Sequence, residues 1–240
     1  MGAKDKVRKL FNFLHLDITR NLKYDRLTQR IIFEELDSSA NCVDVGCHKG
    51  EILDVLLQSS PKGKHFGFEP IPSFFKNLEE SYKNRATIYP YALSNEEGET
   101  YFNFVKNAPA YSGIKERSYK TKSPEIEKIK VDKRTLDGVI PIDLAIDFIK
   151  IDVEGGEFDV LKGAQRILSD HHPLLIFEFG NGASEFYKAE PADFFEFLNR
   201  NGYQIYTLDR FVGAKNELTI QEFGLAYSTG SDYYFVAQSK

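Results

Sequence analysis

The first residues that could do chemistry form a glycine turn flanked by acids, Asp44-Val45-Gly46-Cys47-His48-Lys49-Gly50-Glu51. A short apolar run ends at Gly46 and helical spacing resumes after Gly50, which is typical of a strand, a tight turn and a helix. Free N–H groups at the start of such a helix can face a ligand. The spacing, acidic-x-Gly-x-x-x-Gly, does not match the Gly-x-Gly-x-x-Gly turn that binds a pyrophosphate. The carboxylate of Asp44 instead suits a ligand that carries an ammonium and a sulfonium group.

Two further segments follow the next two apolar runs. Glu69 closes the first of these runs about twenty residues after the turn, and a carboxylate at this position can accept hydrogen bonds from a ribose diol. Tyr91-Ala92-Leu93-Ser94 follows the other run, where the backbone and Ser94 could bond an adenine edge. Each segment alone also fits a solvated strand end or an ordinary strand exit. The glycine turn and Glu69 together predict a nucleoside site.

Carboxylates recur near the ends of two later apolar runs. Asp152 and Glu154 both face one cleft only if the backbone turns between strand and helix, as Gly155-Gly156 allows. Glu178 lies in an otherwise apolar strand, where an unpaired acid is costly, although a structural hydrogen bond to a neighbouring loop would also explain it. Carboxylates at strand ends can deprotonate an acceptor or hold a divalent cation. The sequence leaves this choice open, and we favour no required metal because the acids form no dense cluster along the chain.

These residues must be positioned by alternating strands and helices. The predicted strands are Cys42–Gly46, His65–Phe68, Ala86–Tyr89, Phe148–Asp152, Pro173–Phe179, Tyr203–Leu208 and Tyr233–Ala237. The predicted helices are a stretch from Asp5 to Leu36 with a break near 16–19, then Gly50–Leu57, Ser73–Asn84, Gly156–Leu168 and Pro191–Arg200. This alternation predicts a doubly wound, parallel α/β sheet. Ligands bind at the carboxyl ends of the strands in such a sheet, and the acids described above lie there.

The regular alternation fails over an insertion at about 99–137. We therefore predict an N-terminal helical cap at 1–38 and a main domain at 39–240 that contains the insertion. Because polar aromatic loops over a cleft often bind substrate, we expect the insertion to act as a lid that holds the acceptor. Its irregular part contains three candidate acceptor-binding residues, Tyr111, Ser112 and Arg117.

Composition excludes some classes of partner and location. The formal net charge is −5 and no cluster of Lys and Arg stands out, so we expect no nucleic-acid partner. No apolar run approaches the roughly 18 residues of a membrane-spanning helix, and no signal-peptide pattern opens the chain. Cys42 and Cys47 are too far apart along a strand for a disulfide, so we expect free thiols and a cytoplasmic protein. The oligomeric state stays open.

The motifs together resemble those of the FkbM-type methyltransferases. The segments that carry the resemblance are Asp44–Gly50, Phe68-Glu69-Pro70, Ala92-Leu93-Ser94 with Gly98, Thr135-Leu136-Asp137, Phe148–Glu157 and Leu161-Lys162-Gly163-Ala164. The most specific of them is Ile149-Lys150-Ile151-Asp152-Val153-Glu154-Gly155. One departure is Gly156, where many relatives carry alanine.

The resemblance implies a Rossmann-like class I methyltransferase fold, with a seven-stranded sheet that ends in an antiparallel hairpin. It also implies S-adenosylmethionine as donor and O-methylation of a hydroxyl on a sugar, a glycan or a polyketide-type molecule. We expect the cofactor to be bound by Asp44, Gly46, Cys47, Gly50, Glu51, Glu69, Pro70, Ala92, Ser94 and Asp152. The expected catalytic residues are Asp152, which is the first choice for a base, and then Glu154 and Glu178.

Two other classes of function are open at this point. A nicotinamide-dependent oxidoreductase would also use a doubly wound, Rossmann-like sheet, but the missing third glycine and the acid at Asp44 argue against it. A non-catalytic binding module that has kept the fold is the other alternative. The carboxylates of Asp44, Glu69 and Asp152 argue against that alternative, because a module without catalysis has no need of all three.

Overall fold

The computed structural model describes residues 19–119 and 122–240. The strands are β1 (Cys42–Val45), β2 (His65–Phe68), β3 (Thr87–Tyr89), β4 (Tyr91–Leu93), β5 (Gly98–Val105), β6 (Ile126–Arg134), β7 (Phe148–Ile151), β8 (Leu174–Glu178), β9 (Tyr203–Thr207) and β10 (Tyr234–Ser239). The helices are α1 (Arg20–Glu35), α2 (Glu51–Ser59), α3 (Pro72–Tyr82), α4 (Leu136–Val139), α5 (Glu157–Lys162), α6 (Gln165–His171), α7 (Pro191–Arg200), α8 (Leu208–Val212) and α9 (Ile220–Thr229). Short 3-10 helices lie at Pro109–Tyr111 and Ser184–Tyr187.

Seven of the strands form one sheet in the order β3-β2-β1-β7-β8-β10-β9. The neighbouring pairs from β3 to β8 are parallel, whereas β10 runs antiparallel to both β8 and β9. The chain enters the sheet at β1, extends to one edge through β2 and β3, and returns to the other side of β1 as β7. This arrangement confirms the predicted doubly wound α/β sheet. The strand order reverses between β1 and β7, where such sheets bind their ligands.

The two central strands are buried along their whole length. β1 reads Cys-Val-Asp-Val and β7 reads Phe-Ile-Lys-Ile, and every residue of both is buried. Continuous apolar runs are expected where helices cover both faces of a parallel sheet. Asp44 and Lys150 are the polar exceptions, and the register of β1 on β7 sets them opposite each other. An acid and a base therefore meet at the centre of the sheet.

The single helix predicted after β7 is divided into α5 and α6. The division falls at Gly163, where a Cβ atom would lie 2.1 Å from the carbonyl oxygen of Ser94. Asp137 caps the start of α6, because its carboxylate accepts the backbone N–H groups of Arg166 at 2.7 Å and Ile167 at 3.1 Å. The contact of Gly163 with Ser94 joins α5 to the end of β4, and the cap joins α6 to Asp137, which follows β6.

The last two strands differ from the expected hairpin. β9 and β10 pair antiparallel, as expected, but α8 and α9 lie between them in the chain. α9 begins with a capping box in which Thr219 and Glu222 bond each other's backbone, and it ends at Gly230 in the left-handed conformation. This Thr-x-x-Glu signal is visible in the sequence, and the prediction missed it.

Two strands of the insertion, β5 and β6, form a second, smaller sheet with β4, which precedes the insertion. The strands of this sheet pair in the order β4-β6-β5, and β5 and β6 form a long antiparallel hairpin. The connection between β5 and β6 carries the 3-10 helix Pro109–Tyr111. The side-chain amide of Asn103 on β5 donates to the carbonyl of Ile114 at 3.1 Å, which holds the connection against the strand.

Helix α1 packs into the core of the main domain. Its residues Tyr24, Leu27, Ile31 and Ile32 are buried. They join an apolar cluster to which α2, β1, β7, β8 and β10 also contribute. The earlier part of the predicted N-terminal helical stretch, before residue 19, lies outside the described residues. The division of the chain at residue 38 stays a prediction.

Two observations bear on the expected location of the protein. Cys42 and Cys47 are both free and buried. Across 19–119 and 122–240, no helix combines the length and the apolar character needed to cross a membrane. The cytoplasmic location and the lack of a nucleic-acid partner stay predictions.

Candidate active site

A cavity of about 770 Å³ opens at the carboxyl ends of β1, β2, β7 and β8. This volume is in the range of small-molecule sites. The expected site residues in its lining are Asp44, Gly46, Cys47, Glu51, Glu69, Pro70, Ala92, Tyr111, Ser112, Arg117, Asp152, Glu154 and Glu178. The fold therefore gathers candidates for donor binding, catalysis and acceptor binding around one space.

Two expected cofactor-binding residues, Gly50 and Ser94, do not line the cavity. Gly50 begins the turn into α2 with φ +82°, and its carbonyl accepts the hydroxyl of Tyr82 at 2.8 Å. Ser94 donates its hydroxyl to the side chain of Asn95 at 3.3 Å, and its carbonyl packs on Gly163. Gly50 therefore contributes to the shape of the turn but does not line the cavity. Ser94 lies just beyond β4, whose residue Ala92 lines the cavity, but Ser94 itself is not part of the lining.

Gly46 allows the ends of β1, β2 and β7 to lie in close contact. Its φ of +79° lies in the left-handed region that favours glycine, and a Cβ atom here would lie 1.9 Å from the carbonyl oxygen of Asp152. The backbone N–H groups of Gly46 and Cys47 donate to the carbonyl of Phe68 at 3.0 and 3.1 Å. The turn after β1 is thus fixed between the ends of β2 and β7.

Glu69 is held at the end of β2 by two backbone N–H groups. Its Oε2 accepts from His48 and its Oε1 from Ile71, each at 2.9 Å. Glu69 is 4% exposed, and burial raises its pKa to about 7 although the two hydrogen bonds oppose the shift. Each oxygen keeps a second acceptor position, so the carboxylate can receive two hydroxyl groups of a diol.

Asp44 is a buried acid with unused acceptor capacity. It is 1% exposed, and neither of its carboxylate oxygens accepts a hydrogen bond from the described residues. The ammonium of Lys150 lies 3.7 Å from Oδ1. Burial raises the pKa of Asp44 to about 6, and the charge of Lys150 opposes this rise. Because Asp44 lines the cavity, a cationic group of a ligand can satisfy it.

Asp152 and Glu178 form a hydrogen-bonded pair at the ends of β7 and β8. Oδ2 of Asp152 also accepts the hydroxyl of Tyr234 and lies 3.3 Å from the ammonium of Lys150. Burial acts to raise the pKa of Asp152, but the charge of Lys150 and these hydrogen bonds hold it below its usual value. Burial and the charge of Asp152 raise the pKa of Glu178 well above its usual range. Within the pair, burial and the charge of Asp152 thus favour the protonated form of Glu178, and the charge of Lys150 favours the ionised form of Asp152.

Glu154 connects the acids to the insertion. Its φ of +59° turns the backbone at the exit of β7, and its carboxylate forms an ion pair with Arg117. The guanidinium of Arg117 lies 4.9 Å from the ring centroid of Tyr111, in cation–π geometry. Ser112 is engaged differently, because its hydroxyl accepts a backbone N–H of β5 at 3.0 Å. Of the three candidate acceptor-binding residues, Arg117 thus contacts an acid of the site and Tyr111 packs against Arg117.

The three acids expected to be catalytic lie close together in space. Asp152, Glu154 and Glu178 each place an oxygen within 4.8 Å of the other two. Their spacing along the sequence does not reveal this proximity. The turn at Glu154 and the pairing of β7 with β8 bring them together. A lysine, an arginine and a tyrosine already offer positive charge or a donor to these acids. We assign no metal ion to them.

Two residues at the site, Lys150 and Tyr234, were not expected from the sequence. Lys150 is a charge in an apolar strand, which is the same signal that singled out Glu178, so the sequence could have revealed it. Tyr234 gave no comparable signal. It reaches Asp152 because β10 inserts beside β8, with Tyr234 paired to Glu178, and only the order of the strands in space places it there.

Comparison with known proteins defines the class to which this fold and site belong. The sheet is that of the Rossmann-like class I methyltransferases, as the resemblance implied. Residues 44–205, more than half of the chain, match the Methyltransferase FkbM domain. The chain therefore belongs to the FkbM methyltransferase family.

The individual relatives share 30% or less of their matched residues with this chain. The chain is 30% identical over 160 residues to the hexuronic acid methyltransferase AglP of Haloferax volcanii. This matched region covers 65% of this chain and 63% of AglP. The chain is also 26% identical over 154 residues to Methyltransferase 1 of Beauveria bassiana. That matched region covers 56% of this chain and 60% of Methyltransferase 1. The chain thus spans less than two thirds of the length of these relatives. The crystal structure of a methyltransferase FkbM from Methylobacillus flagellatus KT matches with a TM-score of 0.55 and 22% identity, over 89% of this chain and 47% of that one.

Glu157, the first residue of α5, is a buried acid next to the site. It is 1% exposed, and its Oε1 accepts the N–H groups of Val153 at 3.0 Å and Gly155 at 3.1 Å. Burial raises its pKa from 4.5 to about 7, against the effect of these hydrogen bonds. Between these two values the folded protein holds a proton that the unfolded chain has released. The free energy of unfolding therefore falls as the pH rises through this window.

We expect Glu157→Gln to remove this pH-dependent loss of stability. Because glutamine has no proton to release, the variant should gain free energy of unfolding relative to the wild type as the pH rises from about 4.5 to about 7. Urea unfolding at several pH values measures the difference. Glu196→Gln, at a more exposed position of α7, controls for the loss of one negative charge. If the difference in free energy of unfolding between E157Q and the wild type stays constant from about pH 4.5 to about pH 7, the pKa of Glu157 is not raised.

Proposed function

We propose that the protein is an S-adenosylmethionine-dependent O-methyltransferase that acts on a hydroxyl group of a sugar, a glycan or another small molecule. One observation carries the proposal: Asp44, with unused acceptor oxygens, and Glu69 share a single cavity with the Asp152–Glu178 pair. Membership of the FkbM family supports methyl transfer. The relative AglP, a hexuronic acid methyltransferase, supports a sugar as acceptor.

The donor end of the cavity fits S-adenosylmethionine, which supplies an electrophilic methyl group on a sulfonium when it is bound. Glu69 would hold the two ribose hydroxyls, and Asp44 would pair with the ammonium group and so satisfy its own buried oxygens. A nicotinamide dinucleotide would instead bring a pyrophosphate toward Asp44, so the oxidoreductase alternative has no support here. The remaining expected donor contacts in the lining are Cys47, Glu51, Pro70 and Ala92.

The acceptor end contains the pair that handles the proton. The ionised Asp152 would accept the proton of the acceptor hydroxyl as the hydroxyl oxygen bonds the methyl carbon and the bond from that carbon to the sulfonium sulfur breaks, which would leave S-adenosylhomocysteine. Glu178 would keep its own proton and donate a hydrogen bond to Asp152, which fixes the orientation of the base. General-base help of this kind accelerates reactions by about 10²–10⁴-fold, and the alignment of the reactants contributes further.

The same pair favours a hydroxyl acceptor over a carboxylate acceptor. A hexuronic acid offers both groups, but its carboxylate is already ionised at neutral pH and needs no base. A carboxylate would also need a cation to hold it. Lys150 and Arg117, the nearby cations described above, are each engaged by acids of the site. A neutral hydroxyl therefore suits the charge of this end of the cavity better.

The insertion is proposed to close the acceptor end as a lid. Arg117 would anchor it to the site through Glu154, and the ring of Tyr111 would offer a flat apolar surface for a sugar ring. Ser112 supports the lid from within, since its hydroxyl is used by the backbone of β5. The acceptor would thus lie between the insertion and the Asp152–Glu178 pair.

Replacing Glu69 by alanine should weaken the binding of S-adenosylmethionine by at least about ten- to hundredfold, because the loss of even one hydrogen bond to a charged acceptor costs about 1.5–3 kcal/mol. Isothermal titration calorimetry with S-adenosylmethionine and S-adenosylhomocysteine measures the loss. Glu80→Ala, at an exposed position of α3, is the control and should bind both compounds as the wild type does. If the wild-type protein binds neither compound, the methyltransferase proposal is refuted.

Asp152→Asn should lower the rate of methyl transfer by about 10²–10⁴-fold and leave donor affinity within a few-fold, because asparagine keeps the shape of the acid but cannot take the proton. Single-turnover transfer of labelled methyl to methyl glucuronide and to the uncharged methyl glucoside measures the rate. Asp170→Asn, at an exposed position of α6, is the control. EDTA treatment of the wild type separates a metal-dependent mechanism from a metal-free one. Near-normal turnover by D152N would show that Asp152 is a structural strand-end acid.

A further inference from the structure

Lys150 is a buried cation shared by two acids on neighbouring strands. It is 7% exposed, and its Nζ lies 3.7 Å from Oδ1 of Asp44 and 3.3 Å from Oδ2 of Asp152. The register of β1 on β7 sets Lys150 opposite Asp44, and Asp152 follows the end of β7. Both acids also line the cavity. One ammonium group therefore stands between the proposed donor end and the proposed acceptor end.

The surroundings of this ion pair are mostly acidic or neutral. On the donor side the titratable groups that act on it are Cys47, His48, Glu51 and Glu69. On the acceptor side the ionisable groups are Glu157, Glu178, Tyr234 and Arg117. Arg117 is in contact with Glu154, whereas Lys150 contacts Asp44 and Asp152. Lys150 is thus the direct counter-charge of both acids.

We propose that Lys150 is the positioning residue that keeps Asp44 and Asp152 ionised together, so that a single ammonium group prepares both ends of the cavity. This inference rests on the proposed function, since it assigns Asp44 to the donor and Asp152 to the acceptor. Lys150 need not touch either reactant. It acts through the two carboxylates, whose charges attract the donor ammonium and accept the acceptor proton.

Removing the ammonium changes the charge state of both acids in the same direction. A nearby positive charge favours the ionised form of a carboxyl by about 1–3 pKa units, and a neighbouring carboxylate disfavours it. The pKa of Asp44 is already raised to about 6 by burial, with Lys150 opposing the rise, so without Lys150 it would climb further. The lower pKa of the Asp152–Glu178 pair would rise as well. Asp44 would then lose its charge near neutral pH, and Asp152 would lose its charge at a higher pH than in the wild type.

The test compares Lys150→Met with Lys162→Met, a partly exposed lysine of α5 that pairs with Asp159. The first readout is the pH profile of methyl transfer to methyl glucuronide and methyl glucoside. The acidic limb of this profile is the pH range in which the rate rises as the pH increases. Its midpoint should move up by about 1–3 pH units in K150M and stay in place in K162M. The second readout is calorimetry with S-adenosylhomocysteine at about pH 7, where K150M should bind about ten- to hundredfold more weakly.

Further variants separate the charge of Lys150 from its shape. Lys150→Arg keeps the charge and should keep the acidic limb near its wild-type position, whereas Lys150→Gln should move the limb as K150M does. If neither neutral variant folds, Asp44→Asn combined with Lys150→Gln removes both buried charges, and its acidic limb must still shift. An unmoved limb in a folded neutral variant, with wild-type affinity for S-adenosylhomocysteine, would overturn the inference. That result would leave the proposed function intact, whereas a wild type that binds no S-adenosylhomocysteine would refute the proposed function itself.

Discussion

The site depends on the burial of one ammonium group, that of Lys150, between the carboxylates of Asp44 and Asp152. Unpaired charges in a protein interior are very costly, so a cation beside the two buried acids favours their ionised forms. The register of β1 on β7 therefore matters for electrostatics as well as for packing. A slip of one residue would set Asp44 against an isoleucine and turn the other side chains to the wrong faces.

The other acids at this edge of the sheet are stabilised in different ways, and this separates the two ends of the cavity. Glu69 is held by backbone N–H groups and keeps acceptor positions free. Asp152 and Glu178 are stabilised by each other, by Tyr234 and by Lys150, and their surroundings favour an ionised Asp152 beside a protonated Glu178. The proposed methyl transfer from a sulfonium to a hydroxyl would need an end of the cavity that attracts a cation and an end that takes up a proton, and these two groups of acids suit those roles.

The sequence predicted the parts of this arrangement that depend on local chemistry. The alternation of strands and helices, the glycine turn at Gly46 and the acids at strand ends follow from short-range patterns, and the family resemblance agrees with the FkbM match. Features set by contacts between distant segments were not predicted. Gly163 divides a helix because it packs on Ser94, and the strand of Tyr234 inserts beside β8. Each of these needs the order of the strands in space, which hydrophobic periodicity does not encode.

The central claim is that one cavity holds the donor between Glu69 and Asp44 with its reactive end toward the Asp152–Glu178 pair. A crystal structure of the protein with S-adenosylhomocysteine tests it most directly. The account predicts that the ribose hydroxyls bond the carboxylate of Glu69, that the ammonium group lies at Asp44, and that the sulfur faces Asp152. A nucleoside bound elsewhere, or an ammonium group that leaves the oxygens of Asp44 without a partner, would contradict it.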